Sequence, residues 1–338
     1  MGNYFHKKYL PVSRCYFNFI ELEGSNPMNK CAILSMDNLE DFEVYDYLID
    51  QPLLALGWQT EEVSWRCAKV NWNDYKAVII RSPWDYQDDM ERFLEVLSRI
   101  EQSTARLENS LSVVKWNINK SYLKSLAAEK ITIVPTLWPD AFEADKLTEY
   151  FDYFATEQVV LKPRVSANSD NTFWLTKANY KDNITDLKQA FASRELMVQP
   201  FMESICQEGE FSLFYFNGEY SHAILKTPAQ GDFRVQEEHG GGLLSVTPED
   251  GLIAVANKTM QAISKLHGEL LYARIDFVRH QDTFALMEAE LIEPSLYFNM
   301  DEGSPQRFAS AFAARMKAFE QQASNTKANS SSSLPGKP

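Results

Sequence analysis

The sequence is poor in cysteine. Four occur in 338 residues, Cys15, Cys31, Cys67 and Cys206, and no CxxC pair is among them. That argues against a disulfide framework or a cysteine-rich zinc site and points to a reducing, cytoplasmic setting. Positive charge is also short: 33 Lys and Arg stand against 47 Asp and Glu, a formal net charge of -14. A broad basic face for nucleic acid or anionic lipid is therefore disfavoured, whereas a local cationic pocket is not. No apolar run reaches the roughly 18–20 residues that cross a bilayer. Two nucleotide signatures are missing as well: there is no GxxxxGK[ST] loop, and no GxGxxG follows the first strand. No internal repeat is evident.

What is present suits a folded chain of two or three lobes, with 45% hydrophobic and 13% aromatic residues. Residues 1–27 show neither a helical nor a strand period and no signal peptide, so they read as a poorly ordered extension, with Met28 a candidate start. Residues 321–338 are rich in Ser, Asn, Lys and Pro and read as a disordered tail. Between them, strands are expected at 31–36, 59–64 and 77–80, with helices at about 41–56 and 88–102. This alternation predicts a small parallel sheet over 28–112, with ligands beyond the strand ends. Asp37 and the loop Arg81-Ser82-Pro83-Trp84-Asp85-Tyr86 would sit there. A lobe at 113–200 follows, with a helix at about 117–129 and strands at 132–136, 159–163, 173–175 and 195–201. The last lobe, 201–320, holds a hairpin closed by Asn217-Gly218, a helix at about 248–266, strands at 271–278 and 283–292, and a helix at 304–320.

Three features carry chemistry. The stretch Gly231–Gly242 holds Arg234, His239 and the glycines Gly240, Gly241 and Gly242. Consecutive glycines let backbone N–H groups approach an anion, phosphate being the commonest. Lys162 and Lys226 end apolar strands, where a lysine is costly unless it meets an anion. Asp276, Glu288 and Glu290 fall on consecutive strands whose turn is His280–Thr283, so the acids share one sheet face. Such clustering is unfavourable unless a cation binds, and magnesium, which bridges carboxylates to phosphate, suits the donors. Phosphate cradle, phosphate-neutralising lysines and metal holder together describe a nucleotide-triphosphate site.

These motifs resemble the ATP-grasp superfamily. Gly231–Gly242 is similar to the GDFRxxxxxGG segment of ribosomal-protein glutamate ligases and bacterial glutathione synthetases. The fullest likeness is to the cycloserine synthetase (O-ureidoserine cyclo-ligase) group, through Arg81–Tyr86, Trp116–Lys120, Val134–Thr136 and Glu290–Ser295. It spans about residues 30–318. The resemblance implies an α/β (α+β) ATP-grasp fold, with a small parallel-sheet domain followed by two α+β lobes that clasp ATP. It implies that Lys120 and Lys162 hold ATP, that Gln199, Pro200 and Phe201 form the adenine hinge, and that Glu203 or Glu210 lies near the ribose. Gly240 and Gly241 approach the phosphates, and Lys226, Arg234 and Arg274 stabilise the transferred group. Asp276, Glu288 and Glu290 bind two magnesium ions, with manganese as an alternative. Relatives carry Glu-x-Asn where this chain has Glu288-Ala289-Glu290, which leaves Glu293 open as a ligand. Asp37, Arg81, Trp84, Asp85 and His239 are candidate contacts to a small-molecule substrate. The implied reaction joins a carboxylate to an amine through an acyl phosphate. A ligase that extends peptide tails and a catalytically silent ATP-binding module are the alternatives. The carboxylate, the nucleophile, whether the product is cyclic, and the oligomeric state, a homo-oligomer included, stay open.

Overall fold

The computed structural model describes residues 28–331, apart from residues 41, 167–169, 236, 238 and 239. The readings of residues 1–27 and of His239 therefore lie outside the described residues. The first sheet has β1 (Asn29–Ser35), β2 (Trp58–Ser64), β3 (Ala77–Ser82) and β4 (Arg106–Glu108) in the order β2-β1-β3-β4, all parallel. Every residue of β3 is buried, as a strand covered on both faces requires. One face, with Ala32, Leu34, Val78 and Ile80, packs on helix α2 (Met90–Glu101) through Phe93, Val96, Leu97 and Ile100. That i, i+3, i+4, i+7 stripe is the helical core signature, and Asp89 caps the helix by accepting from the Arg92 N–H. Helix α1 (Asp50–Ala55) and the last helix, α9 (Ser304–Ser331), cover the other face.

The second sheet is antiparallel, in the order β10-β9-β8-β11-β12, from β8 (Glu210–Phe216), β9 (Glu219–Thr227), β10 (Gly242–Ser245), β11 (Tyr272–His280) and β12 (Thr283–Glu290). Asn217 and Gly218 take positive φ in the β8–β9 turn, as a two-residue hairpin demands. Helix α8 (Asp250–His267) packs on this sheet with α3 (Leu111–Asn117) and α4 (Tyr122–Ala128). The third sheet, β6-β5-β7, has β5 (Gln158–Pro163), β6 (Phe173–Thr176) and β7 (Leu196–Pro200), antiparallel throughout. Its core is its own, with α5 (Leu147–Tyr153) and α6 (Ile184–Ala190).

Several elements differ from the sequence expectation. The helix expected at 41–56 is a 3-10 turn at Asp46–Ile49 followed by the short α1. The helix expected at 117–129 is divided into α3 and α4, and the strand at 132–136 is a single bridge, Ile133 to Leu286. Val113, Tyr122, Leu123, Leu126 and Ile131 pack into the core of the second sheet, so this segment sits with the last lobe rather than the middle one. A short helix α7 (Ser204–Gln207) follows the hinge. Helix α9 continues to Ser331, where a disordered tail was expected from residue 321. Its Gln, Ala, Ser and Lys residues tolerate helix, and no proline intervenes before Pro335.

Candidate active site

One cleft opens where the three sheets converge. Val160, Lys162, Gln199 and Pro200 line it from the third sheet, and Glu210, Lys226, Arg274, Asp276, Met287, Glu288 and Glu290 from the second. Phe42, Glu43, Trp84 and Tyr86 line it from the parallel-sheet domain.

The β11–β12 hairpin forms the floor. Register places Asp276 opposite Glu288 and Arg274 opposite Glu290, and residues two apart share a face, so the four charges form a square. Arg274 donates to both oxygens of Asp276 at 3.1–3.2 Å and ion-pairs with Glu290. Lys226 on β9 reaches across to Glu210 at 2.5 Å and to Asp276 at 3.5 Å, and Ser212 donates to Asp276 at 2.5 Å. Lys120 ion-pairs with Glu288. Burial pushes the Asp276 carboxyl up, but Arg274 and Lys226 outweigh it, and the group lies below its usual range. Glu290 fares differently: burial, with Glu288 and Asp276 nearby, raises it to about 7 despite Arg274.

Lys162 contrasts with its neighbours. Among the described residues, its amine meets only the Met287 sulfur, 3.9 Å away. Burial pushes it down to about 8, against the attraction of Glu288. Near the hinge, Trp174 stacks on Phe201 with ring centres 4.6 Å apart, and Phe233 packs edge-on against both. Phe233 belongs to the glycine-rich loop, so the loop is anchored to the middle lobe. The next residue, Arg234, lines the cleft and forks onto Asp232 at 2.7–3.1 Å.

At the parallel-sheet side, the segment after β12 is tied to the loop after β3. Arg81 donates to the Pro294 carbonyl at 2.6 Å and to Asp46 at 2.9 Å. The Trp84 indole N–H donates to the Glu293 carbonyl at 2.9 Å, and the Tyr86 hydroxyl bonds the Glu293 carboxylate. Burial, with the nearby Glu290, pushes the Glu293 carboxyl up to about 8.

This arrangement has counterparts among known proteins. A family model described as the N-terminal domain of D-cycloserine synthetase DcsG matches residues 31–109. The cycloserine biosynthesis protein DcsG of Streptomyces lavendulae is 29% identical over 287 residues, 78% of this chain and 91% of that protein. The crystal structure of D-cycloserine synthetase DcsG superposes with a TM-score of 0.76 at 25% identity, covering 85% of this chain and all of that one. The ATP-grasp ligase PsnB, solved with a minimal precursor, Mg and ADP, gives 0.58 at 15% identity over 85% of this chain and 98% of its own.

The chain has the ATP-grasp fold. Within this fold, Lys120, Lys162, Gln199, Pro200, Phe201, Glu210, Lys226, Arg234, Arg274, Asp276, Glu288, Glu290, Glu293 and Trp84 all line the one cleft. Glu203 does not: it is exposed at the start of α7, and Glu210 is the carboxylate that faces inward. Gly240 and Gly241 also fall outside the lining. Gly240, at φ +78°, bonds the Glu237 carbonyl and turns the chain into β10, while Phe233, Arg234, Val235 and Glu237 present the loop to the cleft. Three substrate candidates are corrected. Arg81 is fully buried as a tie between Asp46 and Pro294. Asp85 is engaged by Arg66 and Trp65, and Asp37, exposed, accepts from Ser64. Sequence reasoning passed over Phe42, Glu43, Asn117 and Tyr297, all of which line the cleft. Asn117 lies within a motif already singled out, and it bonds the backbone of Ala289 and Leu291, fixing the end of β12.

The cleft suits magnesium nucleotide. Among the described residues, no three His, Cys, Asp or Glu side chains form a ready-made metal cage. Magnesium keeps waters and takes one or two carboxylates plus substrate phosphates, so a preformed cage is not required. A buried amine with only a thioether contact is likewise a fit for phosphate.

Proposed function

We propose that this chain is a magnesium-dependent ligase that joins a carboxylate to an amine on a small amino-acid-like substrate through an acyl phosphate, releasing ADP and phosphate. The observation that carries this reading is Lys162, an amine desolvated in the cleft and, among the described residues, without an ion-pair partner. The adenine lies against Phe201 and Phe233, and Lys162 and Lys120 take the phosphates. Asp276, Glu288 and Glu290 would hold magnesium, which supplies positive charge to the phosphoryl oxygens. Arg234 and Arg274 stabilise charge on the transferred group. Such chemistry needs positioning and charge neutralisation more than a strong base. The acidic balance of the chain gives no support to a basic acceptor groove of the kind a peptide-tail ligase would use.

The test is ADP release with Mg-ATP across a set of amino acids and amines. Arg234→Ala is expected to lower turnover about 100-fold or more, the usual scale for a lost transition-state donor. Turnover at the wild-type rate would remove the glycine-rich loop from the reaction.

A further inference from the structure

Strand β12 ends the second sheet, so the outer row of its backbone N–H and C=O groups faces no further strand of that sheet. Such groups, once buried, need partners. Here the row is satisfied piece by piece. Leu286 donates to the Thr132 carbonyl at 2.9 Å and accepts from the Val134 N–H at 3.0 Å, through the bridge at Ile133. Beyond that bridge the partners are side chains. The Ala289 N–H donates to the Tyr122 hydroxyl at 2.8 Å, and the Ala289 carbonyl accepts from the Asn117 amide nitrogen at 2.8 Å. The oxygen of the same amide accepts from the Leu291 N–H at 3.0 Å, and the Leu291 carbonyl accepts from Asn109 at 2.9 Å. A side-chain amide carries the same donor and acceptor as a peptide group. Asn117 thus stands where a neighbouring strand would place one.

These bonds bracket two acids of the cleft floor. Ala289 lies between Glu288 and Glu290, and it is held at its N–H by Tyr122 and at its carbonyl by Asn117. On the inner edge of β12 the register slips between Asp276 and Phe277, which leaves Met287 as the extra residue of a bulge. A bulge re-aims the side chains beside it. Met287, Glu288 and Glu290 all line the cleft. Asn117 and Tyr122 are 7% and 3% exposed, so water competes little for their bonds. The segment that supplies them also supplies Lys120, which ion-pairs with Glu288. Residues 117–122 therefore fix the backbone between the two acids and the charge partner of one of them.

We propose that Asn117, supported by Tyr122, is a positioning residue for the metal: it sets the backbone from which Glu288 and Glu290 reach the ion. The inference rests on the reading of these acids as magnesium ligands. It makes the metal's contribution to nucleotide binding, rather than nucleotide binding itself, depend on Asn117.

The test separates the two. ADP is titrated calorimetrically into the full chain, once with a chelator and once at a fixed free Mg2+ concentration, and the ratio of the two affinities reports the metal. Asn117→Ala is expected to lower that ratio about tenfold or more, the usual scale for a group that orients a metal ligand, with chelator affinity within about twofold of wild type. Tyr122→Phe removes one hydroxyl and keeps the ring, and is expected to lower the ratio about fivefold or less. If Asn117→Ala does not fold, Tyr122→Phe decides the matter. A ratio unchanged from wild type in the folded variants, or a loss equally large in chelator, would overturn the positioning role. A wild-type ratio of one would sink the magnesium reading itself, and the positioning role with it, so the two failures are told apart.

Discussion

The middle lobe and the last lobe each send one strand lysine into the same cleft, and the two are held in opposite ways. Lys226, on β9, is clasped by Glu210 and Asp276, and these anions raise its basicity above the usual value despite burial. Lys162, on β5, has a sulfur for company and is lowered to about 8. Residue type is the same and both amines are desolvated, although Lys226 is buried and Lys162 partly exposed, so the difference lies chiefly in the partners. Among the described residues, Lys226 is balanced within the protein and Lys162 has no ion-pair partner.

The largest effect is expected where balance is broken. Lys226→Met leaves Glu210 and Asp276 buried beside one fewer cation, and the fold should lose about 3–5 kcal/mol in denaturant unfolding. If the loss is below about 1 kcal/mol, the clasp is not structural. Lys162→Met should do the reverse to the ligand-free protein, leaving stability equal or higher because a desolvated amine is gone, while Mg-ATP affinity falls at least tenfold by calorimetry. The same lysine gives a pH signature. Its folded value near 8 lies below its ordinary 10.5, so between those limits the unfolded chain binds more protons. Ligand-free stability should therefore rise as pH increases through that window, and Lys162→Met should remove the rise. A smaller effect sharpens the comparison from the other side. His222 is buried against Phe214, bonds the Leu296 carbonyl, and is pushed down to about 4 by burial. Stability should fall as pH drops from 6.5 towards 4, by at most about 3 kcal/mol, and His222→Phe should flatten that slope.

How much of this could be read from the sequence depends on where the partners lie. The hairpin and its acids were legible because alternation and a turn place Asp276 opposite Glu288 with no long-range information. The strand lysines were legible because a lysine closing a run such as Val159-Val160-Leu161 is conspicuous. Arg81 was misread as a substrate contact because its partners, Asp46 and the Pro294 carbonyl, are 35 and 213 residues away, and a carbonyl acceptor leaves no residue signature. The glycines were read as the cradle because they are the visible part of their loop, whereas the side chains before them face the cleft. Helix α9 was cut short because composition was averaged over a tail whose helix-breaking residues are confined to its last few positions.

Helix α9 also sets an order of events. Its Phe308, Phe312 and Met316 cover the sheet face made by Cys31, Ile33, Ala77 and Ile79, and Phe312 meets Trp58 edge-on at 4.7 Å. The parallel-sheet domain thus finishes its core with residues translated about 230 positions later. At about 5–20 residues per second, that apolar face waits on the order of ten to fifty seconds for its cover. Any message truncated before residue 304 yields a protein whose parallel-sheet domain stays half-dressed.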